Sequence, residues 1–551
     1  MGTKMELRIV IIGGVAGGMS AATRARRMNE SANITVLEKS GYVSFANCGL
    51  PYFIGGQIRE EASLFLTTPA RVAARYRIDA RVYHEVTRID RQAHIVEGTN
   101  LETSEPFSLP YDKLILAPGA SPIIPDVPGI DAKNVFVLRN VEDAQRLQSY
   151  LARRQAKRAV VIGAGFIGLE MVEALHARGL QVTVVEKAPH ALPAIDGTMS
   201  GWIEQELRQN GIDVRVGEGL TALEVRDEHV CSVRTDAGTV IDTDLVVLSI
   251  GVRPLTKLAQ TAGVAVGPSG GIAVDKALRT SDPDIYAVGD ATEVTQGVAD
   301  VVTRIPLAGA ANRHGRLAGE HAATGHARSA AKVFGTAVVR VFGLDVAMTG
   351  LGLAAAKRLG YDAENVIIHP NDHAGYYPGA KRMHLQLVYD RSNGRVLGAQ
   401  ALGGAGVDKR IDVIATLLHF HGTIDDLAEL DLCYAPQFSG AKDPVHYAAF
   451  VAQNQQHEVS PGVNELQTLT QLVDVRTPQE FARGSLPDAV NIPVDEIRAR
   501  HRELDPKKPT VVFCEVGMRG HLANRVLKQC GFENVSNLKG GYLQVHTRLN
   551  G

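Results

Sequence analysis

RIVIIGGVAGG, residues 8–18, returns further along the chain as RAVVIGAGFIG, residues 158–168. Each copy runs from a short apolar strand through a glycine-rich turn into a helix. Each then reaches a second strand ending in an acid, ITVLEK with Glu38 and VTVVEK with Glu186. Strand, glycine turn, helix, strand and acid within about thirty residues make the dinucleotide-binding βαβ unit. The glycines let the backbone approach a pyrophosphate, which sits on the positive end of the helix, and the acid takes a ribose hydroxyl. A single GxGxxG is a weak signal, but two copies in full context are a strong one. The second copy is regular, with Gly163, Gly165 and Gly168. In the first, Gly13, Gly14, Val15, Ala16 and Gly17, a valine stands where the middle glycine belongs, so the backbone approach there is expected to differ.

At 551 residues the chain is too long for one core and suits three or four domains at roughly 100 to 200 residues each. Its 58 basic and 60 acidic residues are interspersed, which excludes the electrostatic footprint of a nucleic-acid binder and makes any phosphate recognition local. The apolar run Ile9–Ile12 is cut short by Gly13 and Gly14, too short for a signal-peptide core or a membrane span. A cytoplasmic enzyme without membrane association is expected. Its five cysteines, Cys48, Cys231, Cys433, Cys514 and Cys530, show no CxxC spacing, which argues against a disulfide framework and a zinc site. No metal is expected.

YDKLILAPGASP (111–122, with Gly119) and SDPDIYAVGDATE (281–293, with Gly289 and Asp290) resemble the remaining flavin contacts of flavoprotein reductases with two dinucleotide-binding domains. The resemblance implies an FAD domain in two segments, 1–150 and 275–328, whose cofactor contacts include Glu38, Lys39 and Asp290. An NAD(P)H domain, 151–274, lies between them. Residues 330–450 mix strands (VVRVFGL, LQLVYD, RVLGAQAL) with helical stretches and resemble the α+β dimerisation domain of that family, expected over 329–452, so a homodimer is implied. QNQQHEVSPG reads as a linker, placed at 453–465. Beyond it, LVDVRTPQEFARGSLPDAVNIP and VVFCEVGMRG resemble a rhodanese domain, 466–551. The expected fold is α/β: two Rossmann-like domains, an α+β domain and a C-terminal α/β domain.

VSFANCGLPY (43–52) carries the single cysteine of the first half of the FAD segment. Flavoprotein disulfide reductases commonly use a C-x4-C pair, yet the position five after Cys48 is Phe53, so no internal disulfide can form there. A lone thiol beside a flavin can cycle through a sulfenic acid, as in a peroxidase or oxidase, or through a mixed disulfide with an outside thiol. The first branch usually carries a histidine in its glycine loop, and GGVAGG has none, which favours the second.

SFANCGLPY and GGVAGG resemble the active-site and flavin-loop motifs of coenzyme A disulfide reductases. The resemblance implies that Cys48 pairs with the CoA thiol and that Ser44, Phe45 and Asn47 lie at the sulfur and pantetheine. It puts Arg24 and Arg27 near the CoA phosphates and gives Lys442 a part in binding the coenzyme. Tyr434 and one of Tyr376 or Tyr377, reaching across the dimer, would take the place of the missing histidine base. From the residues alone, Arg24, Arg26 and Arg27 read as the solvated face of an amphipathic helix rather than as phosphate binders, and the tyrosine pair before Pro378-Gly379 reads equally as interface packing or catalysis. Cys231, Cys433 and Cys530 read as structural.

In CEVGMR, Cys514 opens a turn that closes on Arg519 and leads into a helix. Such a loop forms an anion nest that favours a thiolate and then a bound persulfide. Glu515 is unusual in that position, since a carboxylate there opposes thiosulfate. Together the motifs predict an NAD(P)H-dependent FAD enzyme that reduces CoA persulfide, polysulfide or CoA disulfide, with the rhodanese domain handling sulfane sulfur. NADH is expected first, because Glu186 repels a 2′-phosphate, with some NADPH use because of Lys187. The alternatives are an NADH oxidase or peroxidase and a sulfur-carrier or redox-sensing protein.

Overall fold

The computed structural model describes residues 6–326, 328–466 and 470–550. Residues 1–5 and 327 of the expected FAD segments, and 467–469 and 551 of the expected rhodanese domain, lie outside the described residues. The chain forms two compact units, Met1–Lys187 with Gly217–Gly335 and Ala188–Val216 with Thr336–Gly551.

In the first unit, Arg8–Ile12 is the middle strand of a parallel sheet in the order Ile285–Ala287, Lys113–Leu116, Arg8–Ile12, Asn33–Leu37, Asp79–Arg81. Ile9 and Ile11 point into one buried cluster with Ile34 and Val36. Val10 and Ile12 point into another with Leu37, Leu114 and Leu116. Burial on both faces explains why this strand reads as an unbroken apolar run. The strand at the sheet's edge beside Lys113–Leu116, Ile285–Ala287, comes from far along the chain.

The Ala16–Met28 helix lies on one face and meets the Ala308–Thr324 helix almost backbone to backbone. A Cβ on Gly315 would fall 2.2 Å from the Gly17 carbonyl oxygen, and one on Gly319 2.2 Å from that of Ala21. The same unit repeats the arrangement with parallel strands Gln181–Glu186, Arg158–Ile162, Leu245–Leu248 and Val135–Phe136. An antiparallel meander, Leu220–Arg226, His229–Thr235 and Val240–Asp242, covers one face through Leu223, Val230 and Val233.

The second unit holds an antiparallel sheet in the order Ala337–Val341, Leu344–Gly350, Val396–Gly403, Met383–Asp390, Ala363–Ile368. VVRVFGL is therefore not one strand. Val341 pairs with Leu344 across a tight turn at Phe342 and Gly343, with Phe342 at φ +52°. A second sheet, all parallel, runs Gly462–Val463, Val535–Leu538, Thr510–Phe513, Gln471–Asp474, Val490–Asn491. The polar stretch from Gln453 does not begin as a linker, because the Pro444–Gln456 helix continues to Gln456. Its Gln455 amide donates to the Asn365 carbonyl and the Tyr389 hydroxyl, so the polar residues there are paired within the fold. Among the described residues no helix is long and apolar enough to cross a membrane.

The glycine contacts between the two helices give a direct test. Gly315→Val forces the Ala16–Met28 and Ala308–Thr324 helices apart and should destabilise the protein by about 1–3 kcal/mol, seen as a lower denaturant midpoint for flavin release.

Candidate active sites

The first glycine loop is shaped by a close crossing. Gly13 has φ +102°, and a Cβ there would sit 2.1 Å from the Ala117 carbonyl oxygen. Gly14 N–H donates to Glu38 Oε2 at 2.6 Å, so the acid at the strand end already orders the loop, and Ser40 donates to its other oxygen. Val15 caps the helix with φ −109° and ψ −137°, and the first helical turn holds no acid. The helix dipole is therefore unopposed toward a pyrophosphate. Gly119 and Gly289 turn nearby, and Arg139 Nη2 donates to Asp290 Oδ2 at 2.9 Å. Lys39 is exposed and paired with Glu85.

In the second loop Gly163 has φ +100° beneath the Ser249 carbonyl, and the space where a Cβ of Gly165 would stand is open. Gly168 lies against the Gly163 carbonyl. Glu186 Oε2 accepts from Ala164 N–H at 2.7 Å, and this helix too starts without an acid. The residues present fit FAD at the first loop and a pyridine nucleotide at the second. At Gly165 the backbone is open to a phosphate, and at Val15 a side chain intervenes.

Cys48 hangs from the first loop. Ser44 N–H donates to the Gly14 carbonyl at 2.8 Å, and Ser44 itself takes φ +49°, a left-handed conformation rare for serine. Phe45 is buried and pairs with Phe65, after which Asn47–Gly49 makes a 3-10 turn into the Leu50–Gly55 helix. Cys48 is exposed on that turn. The surrounding protein still disfavours its charged form. Desolvation pushes the thiol pKa above its ordinary value, the Glu170 carboxylate adds to the rise, and Arg139 opposes it.

Glu170, on the helix after the second loop, accepts a 3.1 Å hydrogen bond from the Tyr52 hydroxyl. Burial lifts Glu170 to about 7, partly offset by that bond, and lifts Tyr52 to about 12. Sequence reasoning passed over Glu170, Tyr52 and Arg139. The available signal was the acid in GFIGLE, two residues after Gly168, on the helix that meets the cysteine helix so closely that a Cβ on Gly55 would sit 3.1 Å from Ala174 Cα.

The three arginines of the first helix differ. Arg24 is held by Glu320 at 2.6 Å, and Arg27 is exposed. Arg26 belongs to no solvated face: it is buried and donates to the carbonyls of Tyr76, Glu30 and Arg77.

In the second unit Tyr376 and Tyr434 meet hydroxyl to hydroxyl at 3.0 Å, and this bond raises the Tyr376 phenol pKa. Tyr377 packs its ring edge-on against His373. Tyr434, Cys433, Phe438, Lys409 and Asp372 line a cleft of roughly 490 Å³. Its floor is fixed by Arg410, fully buried and paired with Asp443 at 2.9 Å, and exposed Lys442 adjoins that aspartate. Tyr376, Tyr434 and Phe438 are 77%, 50% and 67% exposed, an apolar display beyond what a single chain covers. Cys433 and Cys530 are exposed too, so neither is a core residue.

Cys514 is buried at the end of the Thr510–Phe513 strand, and Gly517 N–H donates to its Sγ at 3.2 Å. The helix begins at Met518, so Arg519 already belongs to its first turn. Arg519 binds Glu480 through two 2.7 Å hydrogen bonds, which hold that carboxyl down at about 2. Glu515 reaches Arg476 Nη1 at 3.2 Å.

The family profile "Pyridine nucleotide-disulphide oxidoreductase" matches residues 7–315, its dimerisation domain residues 336–444, and "Rhodanese-like domain" residues 458–547. The chain belongs to the pyridine nucleotide-disulphide oxidoreductase family. A coenzyme A disulfide reductase of Staphylococcus haemolyticus is 35% identical over 81% of this chain and 99% of its own length. The crystal structure of reduced CoADR-RHD from Bacillus anthracis matches with TM-score 0.95 and 42% identity, covering 99% of this chain and 98% of its own. A NAD-dependent persulfide reductase from A. fulgidus matches with TM-score 0.93 and 37% identity over 98% of this chain and all of its own. Pyridine nucleotide-disulphide oxidoreductases use FAD and NAD(P)H, in agreement with the two loops.

The charge balance around Cys48 in this oxidoreductase yields a prediction. Glu170→Gln removes a carboxylate that opposes the thiolate, so the pH midpoint for Cys48 alkylation by iodoacetamide should fall relative to the parent. An unchanged midpoint would contradict the assignment.

Proposed function

We propose that this chain is an NADH-dependent FAD enzyme that reduces CoA persulfide or CoA disulfide at Cys48, and that Cys514 carries sulfane sulfur for the same chemistry. The observation that carries this reading is the solitary thiol on the turn Asn47–Gly49. It is tied to the first glycine loop through Ser44 and faces the charges of Glu170, Arg139 and Asp290. With no second cysteine beside it, the sulfur bonded to Cys48 has to come from outside.

With CoA disulfide, the Cys48 thiolate attacks one sulfur, the S–S bond breaks, CoA thiolate departs, and Cys48 holds the other CoA as a mixed disulfide. With CoA persulfide, Cys48 takes the outer sulfur and CoA departs, leaving a persulfide on Cys48. FAD, when bound, would supply the two electrons drawn from NADH that cleave the S–S bond on Cys48, so that CoA thiol leaves the mixed disulfide, or hydrosulfide leaves the persulfide, and Cys48 is a thiol again. The Gly13–Gly17 loop, Glu38 and Asp290 would hold it, and Gly163, Gly165, Gly168 and Glu186 would hold the nucleotide, with Glu186 disfavouring a 2′-phosphate. Glu170, near half-ionised at neutral pH, is placed to take or give a proton through Tyr52. Ser44, Phe45 and Asn47 form the pantetheine end of the CoA site, and Arg24, Arg27 and Lys442 serve the phosphates.

The match to the dimerisation domain and the exposed aromatics around Tyr434 support a homodimer. In it Tyr434 with Tyr376 or Tyr377 protonates the departing CoA thiolate across the interface. Five unpaired thiols fit a cytoplasmic setting.

Two substitutions test the reading. Cys48→Ser should abolish anaerobic NADH oxidation by CoA persulfide and CoA disulfide while bound flavin, read from its visible spectrum, is retained. Full turnover in that variant would sink the scheme. Cys514→Ser should leave reduction of added CoA persulfide intact and impair only routes starting from other sulfur donors.

A further inference from the structure

The charges around Cys514 say which sulfur donor it takes, given the proposed role of this site as a sulfane-sulfur carrier. Two guanidinium groups reach the loop, and both are already matched. Arg476 is buried, bound to Asp474 Oδ2 at 2.8 Å and Oδ1 at 3.1 Å, and covered by the Tyr542 ring at 4.1 Å. Arg519 is bound twice by Glu480. Glu515 then adds a third carboxylate, at 3.2 Å from Arg476 and partly exposed. Against two cations stand Asp474, Glu480 and Glu515, so the side chains leave the loop one negative charge in excess. The positive end of the Met518–Gln529 helix, worth about half a charge, and the contact of Arg519 with Cys514 itself work against that excess.

The backbone that carries Glu515 is held in place, and Arg476 Nη1 at 3.2 Å draws its carboxylate toward the loop. The backbone carbonyl of Glu515 accepts from Leu543 N–H at 3.0 Å, and that of Cys514 from Tyr542 N–H at 2.8 Å, which fixes the loop against the segment that also covers Arg476.

We infer that Glu515 is a specificity-determining residue that sets Cys514 to accept sulfur from organic persulfides and to reject the thiosulfate dianion. Both donors present a terminal sulfur that can reach a buried thiol. With a persulfide, the Cys514 thiolate attacks the outer sulfur of RS–SH, the S–S bond breaks, RS⁻ leaves, and Cys514–S–SH forms with the proton kept on the transferred sulfur. With thiosulfate, the same attack must bring two negative charges against the excess carboxylate and expel sulfite as a dianion. The transfer needs no added oxidant or reductant in either case, so charge distinguishes the donors.

The test uses the full-length flavin-loaded protein. Its probes are sodium thiosulfate and cysteine persulfide, cyanide is the acceptor, and the mass of the Cys514 peptide reads the persulfide. In the parent, cysteine persulfide should load Cys514 and thiosulfate should load it poorly, with a thiosulfate rate that rises with sodium chloride as the repulsion is screened. Glu515→Gln should raise kcat/KM for thiosulfate on the order of tenfold and change that for cysteine persulfide by less than about threefold. Glu515→Asp, which keeps the charge, should keep thiosulfate out. Equal loading of the parent by both donors, without salt dependence, would overturn the inference and leave the carrier role standing. Failure of both donors to load the parent would overturn it together with that role.

Discussion

The position of the Cys48 thiol depends on one hydrogen bond, from Ser44 N–H to the Gly14 carbonyl. That carbonyl belongs to a loop which exists only because Gly13 can pass beneath the Ala117 oxygen with φ +102°. Any side chain at position 13 would meet backbone at 2.1 Å, so the crossing is a condition of the fold. From it follow the direction of the Ala16–Met28 helix, the anchoring of the loop by Glu38, and the left-handed turn at Ser44 that starts the cysteine segment. The loop that suits a dinucleotide and the turn that carries Cys48 are thus parts of one hydrogen-bonded arrangement.

A second constraint holds the rhodanese sheet. Lys539, at the end of the Val535–Leu538 strand, has its ammonium group buried and bound to Glu364 at 2.6 Å and Asn365 at 3.1 Å, both on the edge strand Ala363–Ile368 of the antiparallel sheet. Desolvation lowers the lysine pKa, and the Glu364 carboxylate works against that fall. Breaking a buried pair by removing one partner costs about 3–5 kcal/mol. Asn464 donates to the same Asn365 side chain, and the Gly540 backbone lies against buried His369. The two sheets of this unit are therefore joined by buried polar contacts, and the chain between them is held rather than free.

Those contacts show where sequence reading succeeds and where it stops. The two glycine loops were legible because backbone sterics demand glycine at fixed spacing before a helix, and the cysteine motif because it departs from the expected C-x4-C pair. Lys539 and Glu364 were not legible, since a lysine and a glutamate far apart in sequence look like any surface pair until the fold buries them. Arg26 was hidden in the same way, one of three arginines on a helix and the only one turned inward to carbonyl groups. Glu170 carried a weak signal, an acid on a helix otherwise apolar in its first turns, but its raised pKa comes from burial that no spacing encodes. The hairpin at Phe342 looks like one strand in sequence because apolar residues continue through the turn.

The proposed chemistry stands or falls on Cys48 Sγ being the atom that bonds to the CoA-borne sulfur. It is tested by freeing the thiols with dithiothreitol, removing that reagent, mixing the protein anaerobically, with its flavin oxidised and NADH absent, with one equivalent of CoA disulfide, quenching in acid, and mapping every cysteine peptide by mass spectrometry. One CoA adduct is expected, on the peptide containing Cys48, with Cys231, Cys433, Cys514 and Cys530 unmodified. A CoA adduct on exposed Cys433 with Cys48 bare, or no adduct on any cysteine, would overturn that assignment.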